Sequence, residues 1–452
     1  MKPGISSAVP RALVIIIAAA LLARVAVVVS TPHFRPINDP ADYDRIAQSI
    51  ARGHGYPATN FAAPGTPSAW RPPAYPTVLA AAYVIGGHNW TLGRLLGALL
   101  GVATVLLIFL VAQLAWDRRV ALAAAALAAV FPPLVLMNAS LLSESLFLPC
   151  ELATLLAVLM CRRRGGSVKF AVLAGMLCGV AMLTRPVGIV LLIPAAWGIL
   201  LTAGVGFQRR LRTAAIMTLA AAATVTPWTV RNAVALHAFV PISTEGGLTF
   251  AGTYNDVTSR PGPARGIWTW PGWLPEFRSL FGSARNEAEV DAVLRRRGLD
   301  YALGHPAYVG FVVGANGLRL FGLGPGHTIT NDAWYNEMGV PRGARDPSTV
   351  SVLLLIVFAI TGAAILHARR RPWLSGDRFL WLMPVLLCLA VVWAHGDVRT
   401  RLPADPFLVM LCGLVGVGLL SIYRERSAQS TRTPPLGPPA APSRVPAGRP
   451  SG

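Results

Sequence analysis

The chain has 452 residues, of which 54% are hydrophobic and only 13% are charged. In soluble domains roughly a quarter of the residues are charged, so this composition excludes an ordinary soluble domain and indicates a multi-pass membrane protein. A net charge of +20 would suggest nucleic-acid binding in a soluble protein. Here all basic residues except Lys2 and Lys169 are arginines, a bias typical of a GC-rich bacterial genome. We therefore expect a bacterial protein whose partner is the lipid bilayer, with no nucleic-acid partner.

Ten apolar segments have about the length that crosses the hydrocarbon core of a bilayer. A further stretch, 74–86, is short for a span and is interpreted as a half-helix at the interface, and 306–323 is ambiguous. The predicted fold is an all-α polytopic membrane helical bundle of about ten spans, with interfacial helices on the outer face. The ten segments are residues 11–30, 92–114, 120–138, 141–161, 168–184, 187–204, 211–227, 349–367, 378–394 and 403–422.

Basic loops predict the orientation, because short cytoplasmic loops of membrane proteins are enriched in arginine and lysine. With ten spans and a cytoplasmic N-terminus, all four arginine clusters fall inside. Residues 31–91 and 228–348 then lie outside the cytoplasmic (inner) membrane. Residues 1–422 form one membrane domain, and the Pro-rich segment 423–452 is predicted to be a disordered cytoplasmic tail. The clusters are Arg118-Arg119, Arg162-Arg163-Arg164, Arg209-Arg210-Leu211-Arg212 and Arg369-Arg370-Arg371.

The first outer loop concentrates acidic residues. Asp39, Asp42 and Asp44 lie within six residues, in a chain with only 20 acidic residues. A carboxylate at a membrane surface can take a proton from an attacking hydroxyl or amine, or hold a divalent metal. The alternative is that these residues only cap turns and helix starts. If a metal is bound, Asp39 and Asp42 are the expected ligands, and no other cofactor is predicted.

Four arginines at outer membrane boundaries indicate an anionic ligand. Arg71 lies among prolines, and a guanidinium held at the interface is a natural partner for a lipid phosphate. Arg185, Arg231 and Arg399 also lie at outer boundaries, against the usual preference for arginine inside. The alternative for each is an interfacial anchor whose charged end reaches the headgroups.

Two carboxylates lie within the fourth predicted span. Glu144 is at its outer end, and Glu151 is seven residues later on the same helical face. Charged groups in a span are costly and indicate function, so Glu144 is a candidate catalytic residue. Arg24, in the first span, is a candidate ion-pair partner for either, and packing or pairing is expected for Glu151.

Several short motifs are spread along residues 11–422: Asp39 four before Tyr43, Ala47 with Gly53-His-Gly-Tyr56, Arg71-Pro-Pro-x-Tyr75-Pro, Ser143-Glu144, Leu183-Thr-Arg185-Pro, Pro227-Trp-x-x-Arg231-Asn, Phe239-Val-Pro-Ile-Ser243 with Gly246-Gly247, and Arg399-x-x-Leu402-Pro. In this order the chain resembles bacterial members of the GT-C superfamily of integral membrane glycosyltransferases. The similar branch is that of the protein O-mannosyltransferases and the lipid A aminoarabinose transferase.

The resemblance implies a role for three residues. Asp39 is the expected catalytic carboxylate, Arg71 the expected contact of the donor phosphate, and Glu144 a second acidic residue at the cavity. Two departures from the family pattern matter. Proline follows Asp39 where some relatives have a second acid, which leaves Asp42 and Asp44 as rivals, and Thr400 stands where many relatives have tyrosine.

The predicted function is transfer of a sugar, with inversion, from a polyprenyl-phosphate donor to a lipid, glycan or protein acceptor outside the membrane. The phosphate is expected to contact Arg71, helped by Arg185, Arg231 or Arg399. One alternative is a lipid or glycan transporter, which would need a polar path through the bundle. Another is a polymerase or ligase of lipid-linked oligosaccharides, whose leaving group would be a diphosphate.

Overall fold

The computed structural model describes residues 11–340, 342–369 and 377–430. The regular secondary structure of these residues is helical, apart from one isolated bridge between Ala58 and Pro67. The α-helices are α1 Arg11–Ser30, α2 Asp39–Ala51, α3 Ala74–Gly86, α4 Trp90–Ala115, α5 Arg118–Val130, α6 Pro132–Asn138, α7 Glu144–Arg163, α8 Val168–Thr184, α9 Leu192–Leu200, α10 Phe207–Leu236, α11 Glu245–Thr253, α12 Glu287–Gly304, α13 Pro306–Arg319, α14 His327–Glu337, α15 Arg345–Ala368, α16 Leu382–Val391 and α17 Asp405–Ser430.

Every predicted span is helical in the structure. Six helices are long and apolar enough to cross a membrane: α1, α4, α7, α10, α15 and α17. The pair α5 and α6 adds a seventh, broken span with a bend of 55°. The other three predicted spans correspond to the shorter apolar helices Val168–Thr184, Pro186–Leu200 and Arg378–Val391. The structure thus confirms a multi-pass helical bundle, and the count of ten stays a prediction.

The bend between α5 and α6 has a covalent cause. Pro132 and Pro133 have no backbone N–H, and proline disfavours helical geometry at the preceding residue. Phe131 is accordingly extended, with φ −67° and ψ 114°. The carbonyl of Ala129, which a helix would pair with the N–H of residue 133, is left free for another donor.

Arg24 uses that free carbonyl. Its fully buried guanidinium donates to the Ala129 carbonyl at 3.2 Å, to the Ala20 carbonyl at 3.0 Å and to Asn138 Oδ1 at 3.1 Å. The suggested pairing of Arg24 with Glu144 or Glu151 is therefore wrong, since the broken helix offers nearer acceptors. Within the described residues, neither carboxylate oxygen of Glu151 has a hydrogen-bond partner.

Small residues let the helices of the bundle approach closely, as is typical of membrane helix interfaces. The helices α8 and α10 pack so tightly that a Cβ at Gly175 would overlap the Met217 carbonyl. A Cβ at Gly97 of α4 would likewise overlap the Asn138 carbonyl at the end of α6.

The segment between α2 and α3 packs against the region of α11 and α12. Trp70 lies in one apolar cluster with Leu248 and Leu294. Glu287, at the start of α12, accepts hydrogen bonds from the Ser68 hydroxyl at 2.7 Å and the Ala69 amide at 2.8 Å. These contacts fix the position of the chain immediately before Arg71.

Helix α12 buries Val290 and Leu294 on one side. The predicted start of the disordered tail at residue 423 is too early, because the last helix continues to Ser430. The remaining part of the predicted tail, 431–452, lies outside the described residues.

Candidate active site

The site is built around the first turn of α2, which begins at Asp39. The preceding residue, Asn38, has φ 48°, a backbone conformation that is uncommon outside glycine and concentrates at functional sites. The Asn38 amide donates to Glu337 Oε1 at 2.8 Å, which ties this turn to the end of α14. The turn carries Asp39 and Asp42 as its acidic residues.

Arg71 joins three carboxylates. Its guanidinium forms ion pairs with Asp39, with Asp42 at 3.0 Å and with Glu245 at 2.6 Å. The ring of Trp70 lies 4.8 Å from the guanidinium carbon. The prolines that follow Arg71 fix an extended entry to α3. One arginine thus connects α2 and α11 across the site.

Arg399 is the second arginine that joins three carboxylates. It binds Asp39 Oδ2 at 2.7 Å, Glu337 Oε2 at 3.3 Å and both oxygens of Glu144. Its guanidinium carbon lies 4.5 Å from the centre of the Trp334 ring. Asp39 therefore lies between two guanidinium groups, with one oxygen bound to each.

Arg185 completes the cluster from the end of α8. It pairs with Glu144 Oε1, and the same nitrogen lies 3.5 Å from the Ser143 hydroxyl. Glu144 is fully buried at the first turn of α7, where a helix dipole favours a carboxylate. Through these two ion pairs, Glu144 fixes the positions of Arg185 and Arg399.

The acidic groups outside the spans differ in their proton affinity. Burial disfavours the charge of Asp39, but Arg71 and Arg399 outweigh it and hold the pKa of Asp39 well below its usual range. Burial, with the nearby charge of Asp39, raises the pKa of Glu337 to about 8 against the effect of Arg399. Burial also raises the pKa of Glu245, which Arg71 only partly offsets. Opposite shifts in neighbouring acids are typical of sites that use one as an acid and the other as a base.

A cavity of about 460 Å³ opens beside this cluster. Three of the predicted phosphate contacts and the predicted catalytic carboxylate line it together. Its apolar walls come from the segment after Arg185 and the segment before α11. The lining includes Asp39, Arg71, Arg185, Ile189, Ile242, Ser243, Glu245, Trp393 and Arg399.

Two predicted residues lie at this site without lining the cavity. Asp42 accepts from Arg71 and from the indole N–H of Trp70 at 3.1 Å, so it positions the arginine. Glu144 is enclosed by Arg185 and Arg399.

Arg231, a predicted phosphate contact, does not line the cavity. Its guanidinium donates to the Ser68 carbonyl at 2.6 Å and lies 4.9 Å from the Trp228 ring centre. The aromatic neighbours in its own motif and a nearby carbonyl hold it away from the cluster.

Asp44, the remaining rival to Asp39, lies in a separate group of side chains. It accepts hydrogen bonds from the Tyr83 hydroxyl at 2.6 Å and the Trp90 indole at 3.0 Å, and it contacts His88 at 3.0 Å. Asp44 thereby connects α2 with the end of α3 and the start of α4.

Sequence reasoning missed Glu245 and Glu337. Glu245 stands directly before the Gly246-Gly247 pair of a motif quoted for the resemblance, which is a signal that could have identified it. Glu337 has no local signal, since it reaches Asn38 across 299 positions of the chain.

The residues suggested as metal ligands do not fit a metal as they are arranged. Both oxygens of Asp39 and the bonded oxygen of Asp42 are taken by arginine donors. Among the residues that the structure describes, no group of three or more histidine, cysteine, aspartate or glutamate side chains could hold a metal ion.

Comparisons with solved structures identify the fold. Archaeal oligosaccharyltransferase AglB from Archaeoglobus fulgidus, solved with an inhibitory peptide and a dolichol-phosphate, matches with a TM-score of 0.51 and 14% identity, over 96% of this chain and 52% of that chain. The Archaeoglobus fulgidus oligosaccharyltransferase in complex with Zn and sulfate matches with a TM-score of 0.53 and 15% identity, over 93% of this chain and 50% of that chain. The chain thus spans about half the length of each of these two chains.

No curated protein matches the sequence. ArnT from Cupriavidus metallidurans in the apo state has a TM-score of 0.43 and 16% identity, over 93% of this chain and 80% of that chain. Residues 70–230 match the family model of dolichyl-phosphate-mannose-protein mannosyltransferases. The resemblance predicted from the motifs is confirmed: the chain has the GT-C fold, and its residues 70–230 match the protein mannosyltransferase family model.

Proposed function

We propose that the chain is a glycosyltransferase of the bacterial cytoplasmic membrane, which moves a sugar from a polyprenyl-phosphate donor to an acceptor on the outer face. The observation that carries this proposal is a single carboxylate, Asp39, held between Arg71 and Arg399 on the wall of a cavity that Arg185 also lines. A carboxylate next to several guanidinium groups supplies a proton acceptor and an anion site together.

The reaction needs one bond to form and one to break. The acceptor hydroxyl or amine attacks the anomeric carbon, and the bond from that carbon to the phosphate oxygen breaks with its electron pair on the oxygen. The proton of the nucleophile passes to Asp39. The products are the glycosylated acceptor, with an inverted anomeric centre, and polyprenyl phosphate. Guanidinium groups stabilise the charge that develops on the departing phosphate.

Arg185 is the first contact that we assign to the phosphate. Its Nε and second terminal nitrogen donate to no described protein group, whereas every guanidinium nitrogen of Arg71 and Arg399 donates to a carboxylate. Arg71 becomes available only when one of its carboxylates gives way. Glu144 is a candidate catalytic residue from the sequence, and we assign it the role of positioning Arg185 and Arg399.

Donor binding also has a consequence for Asp39. A carboxyl group whose pKa is held low by two arginines is a weak base, because proton transfer works best when the pKa of the base is near the working pH. When the donor phosphate draws Arg71 toward itself, Asp39 loses part of that stabilisation and its pKa rises. The base is thereby activated in the presence of donor.

A donor panel tests this proposal. Purified protein in lipid nanodiscs is given radiolabelled sugars on polyprenyl monophosphate or on polyprenyl diphosphate, with lipid, glycan and peptide acceptors. We expect transfer from a monophosphate donor, and the labelled fraction identifies the acceptor class. Transfer from diphosphate donors alone would favour the ligase or polymerase alternative. Movement of intact donor across a sealed bilayer without transfer would favour the transporter.

A further inference from the structure

Glu245 lines the cavity together with Asp39 and Arg71. It is the first residue of α11, its side chain is 21% exposed, and its Oε1 lies 2.6 Å from the terminal nitrogen of Arg71. The neighbouring chain is fixed, since the Gly247 amide donates to Asp291 Oδ1 at 2.5 Å and the Thr244 hydroxyl donates to Glu287 Oε2 at 3.1 Å. The carboxylate is therefore placed in the cavity by a rigid support.

Glu245 differs from the other two carboxylates that bind Arg71. Asp39 and Asp42 approach from α2, and both bind the same terminal nitrogen, while Asp42 also binds Nε. Glu245 alone binds the other terminal nitrogen. Beyond this ion pair, its one further side-chain contact is the Ser243 hydroxyl at 3.4 Å. Among the described residues, each of the three carboxylates has one other side-chain partner, and the hydrogen bond of Glu245 is the longest, against 2.7 Å from Arg399 to Asp39 and 3.1 Å from Trp70 to Asp42.

Arg71 and Glu245 both line the cavity, and Glu245 binds one terminal nitrogen of Arg71 there. A phosphate oxygen at that nitrogen would lie beside the Glu245 carboxylate, and two adjacent anions in a partly buried site repel. Burial already disfavours the charge on Glu245 and raises its pKa, despite the neighbouring Arg71. Release of Glu245 from Arg71 breaks one ion pair, whereas release of Asp39 from its two arginines breaks two.

We propose that Glu245 is a built-in counter-anion, which occupies Arg71 while the cavity is empty and which the donor phosphate replaces. After sugar transfer, Glu245 competes with polyprenyl phosphate for Arg71 and so weakens the binding of the product. This inference rests on the proposed function and adds to it a residue that controls donor entry and product release.

The donor and the product of the reaction differ in the charge of their phosphate. The donor phosphate is a diester with one negative charge, whereas the product is a monoester, and a phosphate monoester carries about −1.5 to −2 charge near pH 7. Without a competing carboxylate, the arginines would hold the product more tightly than the donor. Glu245 opposes this trapping of the product.

The test uses the full chain in nanodiscs and measures the Kd of polyprenyl phosphate, the donor KM and kcat. Glu245→Gln and Glu245→Ala remove the competing charge, and Glu276→Gln is the matched control. Glu276 is an exposed glutamate between α11 and α12 that does not line the cavity. If Glu245 occupies Arg71 for about nine-tenths of the time, its removal lowers the Kd about tenfold.

We expect both variants to bind polyprenyl phosphate more tightly and to have a lower donor KM, with kcat equal or reduced by slow product release. The control should match wild type in all three quantities. Weaker binding in both variants would mean that Glu245 contacts the ligand directly, and an unchanged Kd with reduced kcat would place it in the chemical step. Either result overturns the inference while the proposed function stands. A wild-type protein that neither binds polyprenyl phosphate nor transfers sugar overturns both.

Discussion

Asp39 and Glu337 bind the same guanidinium nitrogen of Arg399, at 2.7 and 3.3 Å, yet their pKa values shift in opposite directions. Asp39 gains a second guanidinium from Arg71, whereas burial dominates at Glu337. Folding therefore favours the ionised form of Asp39 and the protonated form of Glu337. The opposite shifts distinguish Asp39, the proposed base, from Glu337, which binds the same arginine. Strongly perturbed groups in a cleft are candidates for function.

The Glu337 shift predicts how stability depends on pH. The pKa of Glu337 is raised by folding, so its contribution to stability is present below the unfolded value of about 4.3 and is lost as the pH rises toward about 8. Glu337→Gln keeps the neutral form at every pH. We expect the melting temperature of this variant, relative to that of wild type, to rise progressively from pH 5 to pH 9. A difference that stays constant over this range would contradict the shift.

Arg185 and Arg231 form a matched pair of outer-boundary arginines with different expected effects. Arg185→Ala should raise the donor KM about a hundredfold, because loss of a buried charge contact costs a few kcal/mol. Arg231→Ala should leave the donor KM near the wild-type value, since its guanidinium binds the Ser68 carbonyl outside the cavity. Steady-state kinetics at matched membrane abundance check both. Equal effects of the two substitutions would contradict the assignment of Arg185.

Asp44 should matter for stability more than for chemistry. Its three partners, Tyr83, His88 and Trp90, connect α2 to α3 and α4. Asp44→Asn weakens hydrogen bonds to a charged group, each worth about 1.5–3 kcal/mol. We expect a lower melting temperature with a donor KM close to wild type. A large loss of turnover in fully folded protein would instead return Asp44 to the list of candidate bases.

The orientation can be tested by labelling. Asn60 and Ser279 are exposed in the two regions that the arginine distribution places outside. Asn60→Cys and Ser279→Cys should react with a membrane-impermeant thiol reagent in intact cells. Each result is compared with the parent protein, whose cysteines are buried or partly buried. Labelling only after lysis would reverse the assigned faces.

The sequence predicted the helices well because long apolar runs in a membrane have few alternatives to helix. It also singled out Asp39, Arg71, Arg185 and Arg399, which the structure brings together at one cavity, since charged groups at membrane boundaries are conspicuous. It could not show which of them meet, because Arg399 reaches Asp39 across 360 positions of the chain.

Packing decided the remaining cases. Glu337 reaches the site only because α14 packs there, and Arg231 is kept away by a carbonyl and an aromatic ring that no local pattern revealed. Arg24 likewise bonds a carbonyl that became free when prolines broke a neighbouring helix.

Turnover of Asp39→Asn tests the central claim most directly. Asparagine keeps the size and polarity of Asp39 but cannot accept the proton, and general-base catalysis typically contributes about 10²–10⁴-fold. Transfer from radiolabelled polyprenyl-phosphate sugar should fall by at least about a hundredfold at matched abundance. The variant should still insert into the membrane and bind polyprenyl phosphate. Asp42→Asn, which removes a neighbouring carboxylate and keeps the base, is the control and should retain turnover at saturating donor. Normal turnover in Asp39→Asn would contradict the account.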